Sequence, residues 1–340
     1  MGPQEAKFVG CILGAAIGDA LGLPFVGQTP EQIAAAGPIR DFVPPQGVSS
    51  VVVPVAELGD SEVGEALLAG QWTENTQLLM ALAETLIEEG GVLIPEAWGH
   101  KLVRWVNDAP RMPDVSTLQA ALQLRTGGVF WDESADPEGA DSGPAARVAP
   151  IGLLYAGDAL LRRRNAVTLA QVTHGDPDAQ AAAMAVSEAI AQLLPILPGD
   201  MASWDGGAFL AALAETVASA SPAYAEFARC LQLAETLLRD GVDRPAAIRL
   251  LGVSGWSRET IPCVLYCVAS HRGDLETLLT DTIAQTGGAT DSIGCITGAL
   301  AGALHGVDAL PARWRKNVEG ADRLEETAHA LYRLSLPPTD

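Results

Sequence analysis

The sequence is poor in aromatic residues and in positive charge. Only 5% of its 340 residues are aromatic, and 21 Lys and Arg residues stand against 42 Asp and Glu residues. The resulting net charge of −21 argues against a nucleic-acid backbone or an anionic membrane as the main partner, although it is compatible with a local basic pocket for phosphate. With so few aromatic residues, the core must be built from Ala, Leu, Val and Ile, a composition that favours helices.

Cysteines are few, and long apolar runs and a secretory signal are lacking. The spacings of the five cysteines match no common zinc or redox motif, so we interpret them as small core residues in a reducing compartment: Cys11, Cys230, Cys263, Cys267 and Cys295. The N-terminus has no basic segment followed by an apolar stretch and a cleavage site. Asp19, His305 and Asp308 interrupt the two most apolar segments. We therefore expect a cytoplasmic protein with buried helices and no membrane spans.

Two segments near opposite ends of the chain share a glycine repeat with a spacing of four. The repeat comprises Gly10, Gly14, Gly18 and Gly22 in the first segment, and Gly294, Gly298, Gly302 and Gly306 in the second. A glycine inside a helix costs about 1 kcal/mol relative to alanine, so a stripe of them predicts a closely approaching partner backbone. We expect the two helices to pack on each other, with Asp291 or Ser292 as the N-cap of the second.

Apolar periodicity predicts helices along most of the chain and no long strand, so the fold class is all-α. The length admits one or two domains, and we expect a single domain over residues 1–340. A valine run at 51–53 predicts one short strand, and the acidic, glycine-rich stretch 126–146 predicts a functional loop. Helices are predicted over 7–22, 95–109, 115–125, 207–219, 222–240, 244–251, 259–270 and 274–285, after Gly70–Gln71–Trp72, after Pro150 and after Pro177.

Polar clusters open two of these predicted helices. Thr73, Glu74, Asn75 and Thr76 stand at the start of the segment that ends at Gly90 and Gly91, and a cap alone explains such a cluster. Its similarity to Thr290–Asp291–Ser292 indicates a function beyond capping. A further turn, Thr173–Pro177, contains His174, and Asp176 there is a good N-cap before a proline at the first helical position.

Four segments together resemble the ADP-ribosylglycohydrolase family. They are GCILGAAIGDALGLP near the N-terminus, GQWTENTQLLMALAETL, DSGPAARVAPIGLLY followed by THGDPDAQAAA, and GGATDSIGCITGALAGALHG. The resemblance covers nearly the whole chain. It implies a compact all-α domain whose loops converge on an active-site cleft.

The resemblance also implies a reaction. The family cleaves the bond between C1″ of ADP-ribose and a protein or small-molecule acceptor, typically with two Mg²⁺ or Mn²⁺ ions held by carboxylates and threonine hydroxyls. Matching positions make Thr73, Glu74, Asn75, Asp291 and Ser292 the candidate metal ligands, with Glu74 and Asp291 as catalytic residues. The candidate substrate-binding residues are Asp19, Ser142, Gly143, Arg147, His174, Gly287 and Gly288.

The chain departs from the family pattern at several metal positions. Val26 stands where a glutamate is expected, Glu74 and Asn75 replace two aspartates, and Ala289 replaces a third. Two carboxylates then remain of five, and two divalent cations would leave about two positive charges uncompensated in a cleft. We expect at most one Mg²⁺ or Mn²⁺, held weakly by Glu74 and Asp291 with waters completing its shell.

Three functional hypotheses follow. The first is a divergent hydrolase of an ADP-ribose conjugate, with Glu74 as general base and Asp291 holding a cation or stabilising an oxocarbenium-like transition state. The second is an inactive relative that binds ADP-ribose or an ADP-ribosylated partner. The third is a glycosidase of another small metabolite. The first requires Glu74 and Asp291 to lie on opposite walls of one pocket.

Overall fold

The computed structural model describes residues 1–52, 62–197, 200 and 203–337. Over these residues the protein is helical, with one two-stranded antiparallel sheet, β1 (Ser49–Val52) and β2 (Glu62–Ala66). The α-helices are α1 (Pro3–Gly22), α2 (Pro30–Ala36), α3 (Glu74–Glu88), α4 (Pro95–Asn107), α5 (Val115–Thr126), α6 (Gly143–Arg147), α7 (Ala149–Leu154), α8 (Ala159–Gln171), α9 (Pro177–Leu193), α10 (Gly206–Ala220), α11 (Ala225–Arg239), α12 (Arg244–Leu251), α13 (Ser257–Ser270), α14 (Leu275–Thr286), α15 (Thr290–His305), α16 (Ala312–Asn317) and α17 (Ala321–Ser335). The prediction of an all-α fold is confirmed.

The antiparallel pair of α1 and α15 forms the centre of the molecule. A Cβ added at Gly14 or Gly18 would overlap the backbone carbonyl of Gly298 or Gly294, and one at Gly10 would lie 2.6 Å from the carbonyl carbon of Gly306. The glycine stripes therefore bring the two backbones into direct contact, as the spacing predicted. Helices α3, α6, α9, α13, α14 and α17 pack around this pair.

Burial explains why α1 is so apolar. By length and composition this helix could cross a membrane, but 89% of its apolar window is buried inside the protein. Every residue from Lys7 to Gly22 is buried. The apolar character of α1 thus serves the interior of the fold, and the helix places Asp19 in the middle of the molecule.

Several local predictions are confirmed and others need correction. Thr73 caps α3 by accepting a hydrogen bond from the Asn75 N–H (3.2 Å), and Asp176 caps α9 before Pro177. The valine run forms β1 through Val52, while Val53 lies outside the described residues. The helix after Pro150 is wrong as one element, because the chain turns at 155–158 between α7 and α8.

The capping prediction for α15 is also wrong. Helix α15 begins at Thr290 with Ala289 as its N-cap, so Asp291 and Ser292 lie inside the first turn. Their side chains therefore project outward from the first turn of α15 and do not cap its N-terminus. The loop predicted over 126–146 is correct to residue 142, after which α6 begins.

Candidate active site

Asp19 anchors the N-terminus of α3 to α1. Its carboxylate accepts hydrogen bonds from the backbone N–H of Thr73 (3.1 Å to each oxygen) and of Thr76 (3.1 Å). The hydroxyls of the same two threonines donate to it at 2.9 and 2.7 Å. An acidic side chain beneath free N–H groups is favourable at a helix N-terminus. The position of α3 relative to the central pair is thereby fixed.

The environment of Asp19 argues against the predicted contact with substrate. The residue is 0% exposed, and both carboxylate oxygens are occupied by Thr73 and Thr76. Burial, and then the negative charge of Asp291, raise the pKa of Asp19 to about 7, although the threonine hydrogen bonds oppose the rise. Asp19 therefore supports the site through Thr73 and Thr76, and its assignment as a substrate ligand stays a prediction.

A hydrogen-bonded amide joins the N-termini of α3 and α15. The Asn75 Nδ2 donates to the Thr73 Oγ1 (3.0 Å) and to the Ser292 Oγ (3.2 Å). The Thr73 hydroxyl is saturated, since it donates to Asp19 and also accepts from the Asn75 backbone N–H. Three of the predicted metal-ligand residues thus lie together, but two of their hydroxyls accept hydrogen bonds from an amide.

Asp291 lies beside Ser292 in the first turn of α15. It is 9% exposed, and burial raises its pKa although its own N–H and that of Ser292 oppose the shift. The preceding Thr290 fixes the helix by donating to the carbonyl of Gly22 (2.8 Å). Asp291 is therefore the buried carboxylate that α15 contributes at its N-terminus.

The glycines Gly287 and Gly288 shape the turn before α15. Both have positive φ, at 64° and 70°. A Cβ at Gly287 would lie 2.5 Å from the Gln28 carbonyl, and one at Gly288 would lie 2.5 Å from the Val253 carbonyl. The structure places them where two loop backbones converge, and only glycine fits there without strain.

Glu74 contacts a different set of residues from Asp291. Its Oε1 accepts a hydrogen bond from the Asp114 N–H (2.6 Å), and its buried Oε2 has no hydrogen-bond partner. Burial, followed by the charge of Asp114, raises the pKa of Glu74 well above its ordinary value, while Arg147 opposes the rise. A buried carboxyl with a free oxygen is suited to binding a water molecule or exchanging a proton at that oxygen.

Arg147 and His174 form the inner wall behind Glu74. The Arg147 guanidinium is 1% exposed and donates to the hydroxyls of Thr117 (3.2 Å) and Thr173 (2.6 Å). His174 is 0% exposed, with Nδ1 2.8 Å from the Thr173 Oγ1. These two candidate substrate ligands therefore occupy the back of the site.

Two aspartates that the sequence did not single out face His174. Its Nε2 lies 2.9 Å from the Asp141 Oδ1 and 4.0 Å from the Asp114 Oδ1. One ligand atom from each of these three residues lies within 4.8 Å of the others, so they form a possible metal site. The buried Ser142 and Gly143 follow directly, and the Gly143 N–H donates to Asp141 (2.9 Å).

An exposed tryptophan lies at the rim of this cluster. The backbone joins 140–142 to 255–257 through the Ser142 N–H to the Gly255 carbonyl and the Ser257 N–H to the Ala140 carbonyl. Trp256 between them is 54% exposed. A large aromatic ring left in solvent beside a polar cluster is suited to stacking on a planar ligand.

Comparison with known proteins identifies the family of this chain. The sequence model of the ADP-ribosylglycohydrolase family matches residues 2–339. The chain belongs to the ADP-ribosylglycohydrolase family. A solved structure described as an ADP-ribosylglycohydrolase-related protein complex matches with a TM-score of 0.71 and 25% identity, covering 99% of this chain and 100% of that one.

Other members of the ADP-ribosylglycohydrolase family align over the same length. An uncharacterised protein of Archaeoglobus fulgidus is 33% identical, with 98% of each chain covered. The human ADP-ribosylhydrolase ARH3 is 26% identical over 97% of this chain and 93% of its own. The ADP-ribosylarginine hydrolase Tri1 of Pseudomonas putida is 25% identical over 97% of this chain and 79% of its own.

Sequence reasoning missed Asp114, Asp141 and Trp256. Each lies in a loop or at a helix boundary, where no apolar period marks a buried or inward-facing side chain. The one available signal was Asp114 directly before a helix with Thr117 three residues later, which the structure shows as an N-cap with the Thr117 N–H at 2.5 Å.

Proposed function

We propose that this protein hydrolyses the glycosidic bond between ADP-ribose, or a related nucleotide sugar, and an acceptor. One observation carries the proposal: Glu74 is buried next to Asp114 and Arg147, yet one of its carboxylate oxygens has no hydrogen-bond partner. A free acceptor atom at that position would be costly in a purely structural site. It is useful where a water molecule or a sugar hydroxyl must be bound.

In this proposal Glu74 accepts the proton of the attacking water, or orients that water. Its raised pKa brings the carboxyl toward the range in which a general base is efficient. Asp291 lies at the other end of the network and stabilises positive charge that develops on the ribose ring in an oxocarbenium-like transition state. Asn75 links Thr73, which precedes Glu74 in the chain, to Ser292, which follows Asp291.

We assign substrate binding to the edge of the site that Gly143 and Trp256 form. The loop at Ser142 and Gly143, with the buried Arg147 behind it, is the part of the site assigned to the ribose or the diphosphate. Trp256 offers an exposed ring on which adenine can stack. The proposed partners are accordingly small molecules or proteins that carry ADP-ribose.

For the family's metal centre, we infer at most one weakly held cation at the matching positions. The Thr73 hydroxyl is saturated, and the Ser292 hydroxyl accepts a hydrogen bond from the Asn75 amide. The Glu74 carboxylate accepts a hydrogen bond from the Asp114 N–H, so in this proposal it does not share a metal ion with Asp291. Asp291 and the Ser292 hydroxyl remain as the residues that would hold Mg²⁺ or Mn²⁺, whose contribution when bound is to polarise a ribose oxygen.

The alternative is an inactive relative that binds ADP-ribose or an ADP-ribosylated partner. The Asn75 amide favours it, because an uncharged donor occupies the position where the family pattern has a metal-binding aspartate. The scaffold and the polar cleft would then serve recognition alone. A glycosidase acting on another small metabolite is a third use of the same scaffold.

Release of ADP-ribose is the decisive measurement. The purified protein is incubated with ADP-ribosylated arginine and serine peptides, with EDTA, Mg²⁺ or Mn²⁺, and free ADP-ribose is quantified by liquid chromatography and mass spectrometry. Turnover that Glu74→Gln lowers by about 10²-fold or more, while the matched exposed control Glu226→Gln leaves it unchanged, supports the hydrolase. Calorimetric binding of ADP-ribose in EDTA without any turnover establishes the binding protein instead.

A further inference from the structure

The cluster of Asp114, Asp141 and His174 has the geometry of a cation site. Two of its ligand atoms, the His174 Nε2 and the Asp141 Oδ1, are 2.9 Å apart, and the third, the Asp114 Oδ1, lies 4.0 Å from the Nε2. Ligands about 2.1 Å from one octahedral ion are separated by about 3 Å when adjacent and about 4 Å when opposite. Both separations fit one ion between the three side chains.

The Thr173 hydroxyl is placed to accept a hydrogen bond from the Nδ1 of His174. The Thr173 hydroxyl accepts from Arg147 (2.6 Å) and lies 2.8 Å from the His174 Nδ1, so its second lone pair is within reach of a proton on that nitrogen. This tautomer leaves a lone pair on Nε2. Metal-binding histidines are oriented in the same way, by donation from the nitrogen that does not bind the ion.

The Nε2 of His174 faces the Asp141 carboxylate. Nε2 is fully buried and has no hydrogen-bond partner of acceptable angle, although the Asp141 oxygen lies 2.9 Å away. A cation bound between these two atoms would interact favourably with both of them. The unpartnered nitrogen is the observation that distinguishes this cluster from an ordinary group of acidic residues.

Charge and access also favour a divalent ion. The carboxylates of Asp114 and Asp141 outnumber the guanidinium of Arg147, so the cluster keeps one uncompensated negative charge even when Glu74 is neutral. The side chains of Asp114 and Asp141 are 17% and 34% exposed, so an ion can enter from solvent. Gly143 keeps the space open, because a Cβ there would lie 2.7 Å from the Asp114 Oδ2 and 3.0 Å from the Asp141 Oδ1.

We propose that Asp114, Asp141 and His174 bind one divalent first-row transition cation, such as Zn²⁺ or Mn²⁺, in preference to Mg²⁺. An imidazole nitrogen is a good ligand for these ions, whereas Mg²⁺ takes oxygen ligands and keeps its waters. The ligands of this site differ from Asn75, Asp291 and Ser292 at the family's metal positions, and Asp114 adjoins Glu74 through its backbone N–H. The site goes beyond the proposed hydrolysis, since an inactive protein would bind the ion equally well.

The test uses the full chain stripped with EDTA and dialysed against Zn²⁺, Mn²⁺ or Mg²⁺, with bound metal counted by mass spectrometry. One equivalent of Zn²⁺ or Mn²⁺ and a clearly lower occupancy with Mg²⁺ are expected. Crystals soaked in the bound metal should give one anomalous peak between His174 and Asp141. No bound metal, or a peak beside Asn75 and Ser292 instead, would overturn the proposal.

Two variants in the cluster and one exposed control test whether the metal binds there. His174→Gln removes the nitrogen and Gly143→Ala fills the space, so each should weaken the metal by about tenfold or more. His100→Gln, the same change at an exposed histidine, should leave it unchanged. Equal affinity in all three would refute the site. Because the readout is bound metal, a protein that binds zinc here yet releases no ADP-ribose refutes only the proposed hydrolysis.

Discussion

Gly18 and Gly294 contact each other backbone to backbone across the centre of the molecule. A Cβ built on either residue would overlap the carbonyl oxygen of the other. The relationship is reciprocal and repeats at Gly14 with Gly298, so the separation of α1 and α15 is set by main-chain atoms. The polar residues at the ends of these helices, Asp19 and Asp291, are brought close together because no side chain holds the helices apart.

We expect Gly18→Ala to destabilise the protein severely. The added methyl meets backbone on both sides, and overpacking of this kind costs about 1–3 kcal/mol or more. Urea denaturation should show a lower midpoint than for the wild type. Gly157→Ala is the matched control, because a Cβ there meets nothing within 4 Å and its free energy of unfolding should change by less than about 0.5 kcal/mol. Similar effects from both substitutions would show that the helix contact is not tight.

The ion pair between Arg162 and Glu188 should contribute far more than surface pairs. Its side chains are 6% and 3% exposed, and Arg162 also donates to the carbonyls of Tyr155 and Ala156. Arg162→Ala should cost about 3–5 kcal/mol, because it leaves the buried Glu188 with only Arg163 as partner. Thermal unfolding monitored by circular dichroism measures the loss.

Arg229→Ala provides the comparison for that prediction. Arg229 pairs with Glu226 on the same helix, and both side chains are 63% exposed. Such pairs are worth about 0–1 kcal/mol, so the unfolding temperature should hardly move. If removing Arg162 were equally mild, water or a rearranged Arg163 would have to neutralise Glu188.

Glu74→Gln should become increasingly stabilising, relative to the wild type, as the pH rises. The pKa of Glu74 is raised in the folded state, so the folded protein binds this proton more tightly than the unfolded chain. Wild-type stability from this group is therefore complete below its unfolded pKa and is lost as the pH rises through the folded pKa. Gln does not titrate. Chemical denaturation of both proteins in EDTA at pH 5 and pH 8 tests this, and a difference that stays constant or shrinks would contradict the assignment.

Asn75→Asp should increase the response of the protein to Mg²⁺. The substitution restores a carboxylate beside Thr73 and Ser292 and removes the amide that donates to both hydroxyls. Without metal, the added charge near the buried Asp19 and Asp291 should lower the unfolding temperature. With millimolar Mg²⁺ the variant should recover more than the wild type, because binding to the folded state stabilises it. Thermal shift with and without EDTA is the measurement, and Asn107→Asp on the exposed end of α4 is the control.

The features that depend on residues a few positions apart in the sequence were predictable. The glycine spacing of Gly10–Gly22 and Gly294–Gly306 gave the central helix pair, and Thr73 and Asp176 gave helix starts, because stripes and caps depend on residues a few positions apart. The family resemblance brought Thr73, Asn75 and Ser292 into one group, and the structure joins them by hydrogen bonds.

The partners of Glu74 could not be predicted in the same way. Its contact with the Asp114 N–H depends on how the turn from Arg111 to Asp114 packs against α3, where the Glu74 N–H donates to the Arg111 carbonyl (2.8 Å). Glu74 and Asn75 are neighbours on α3, yet the Glu74 side chain contacts Asp114 and the Asn75 side chain contacts Ser292 on α15. A one-residue difference in a helix turns a side chain by about 100°, which a motif does not specify.

The pairing of α1 with α15 also determines when the protein can fold. Helix α1 leaves the ribosome early, but the backbone that covers its glycines arrives only after residue 305 has been synthesised. Until then the newly made chain carries an apolar helix without its partner, and such contacts between distant segments form slowly. Nascent chains stalled before residue 290 should accordingly bind chaperones, and those extended past α17 should be released.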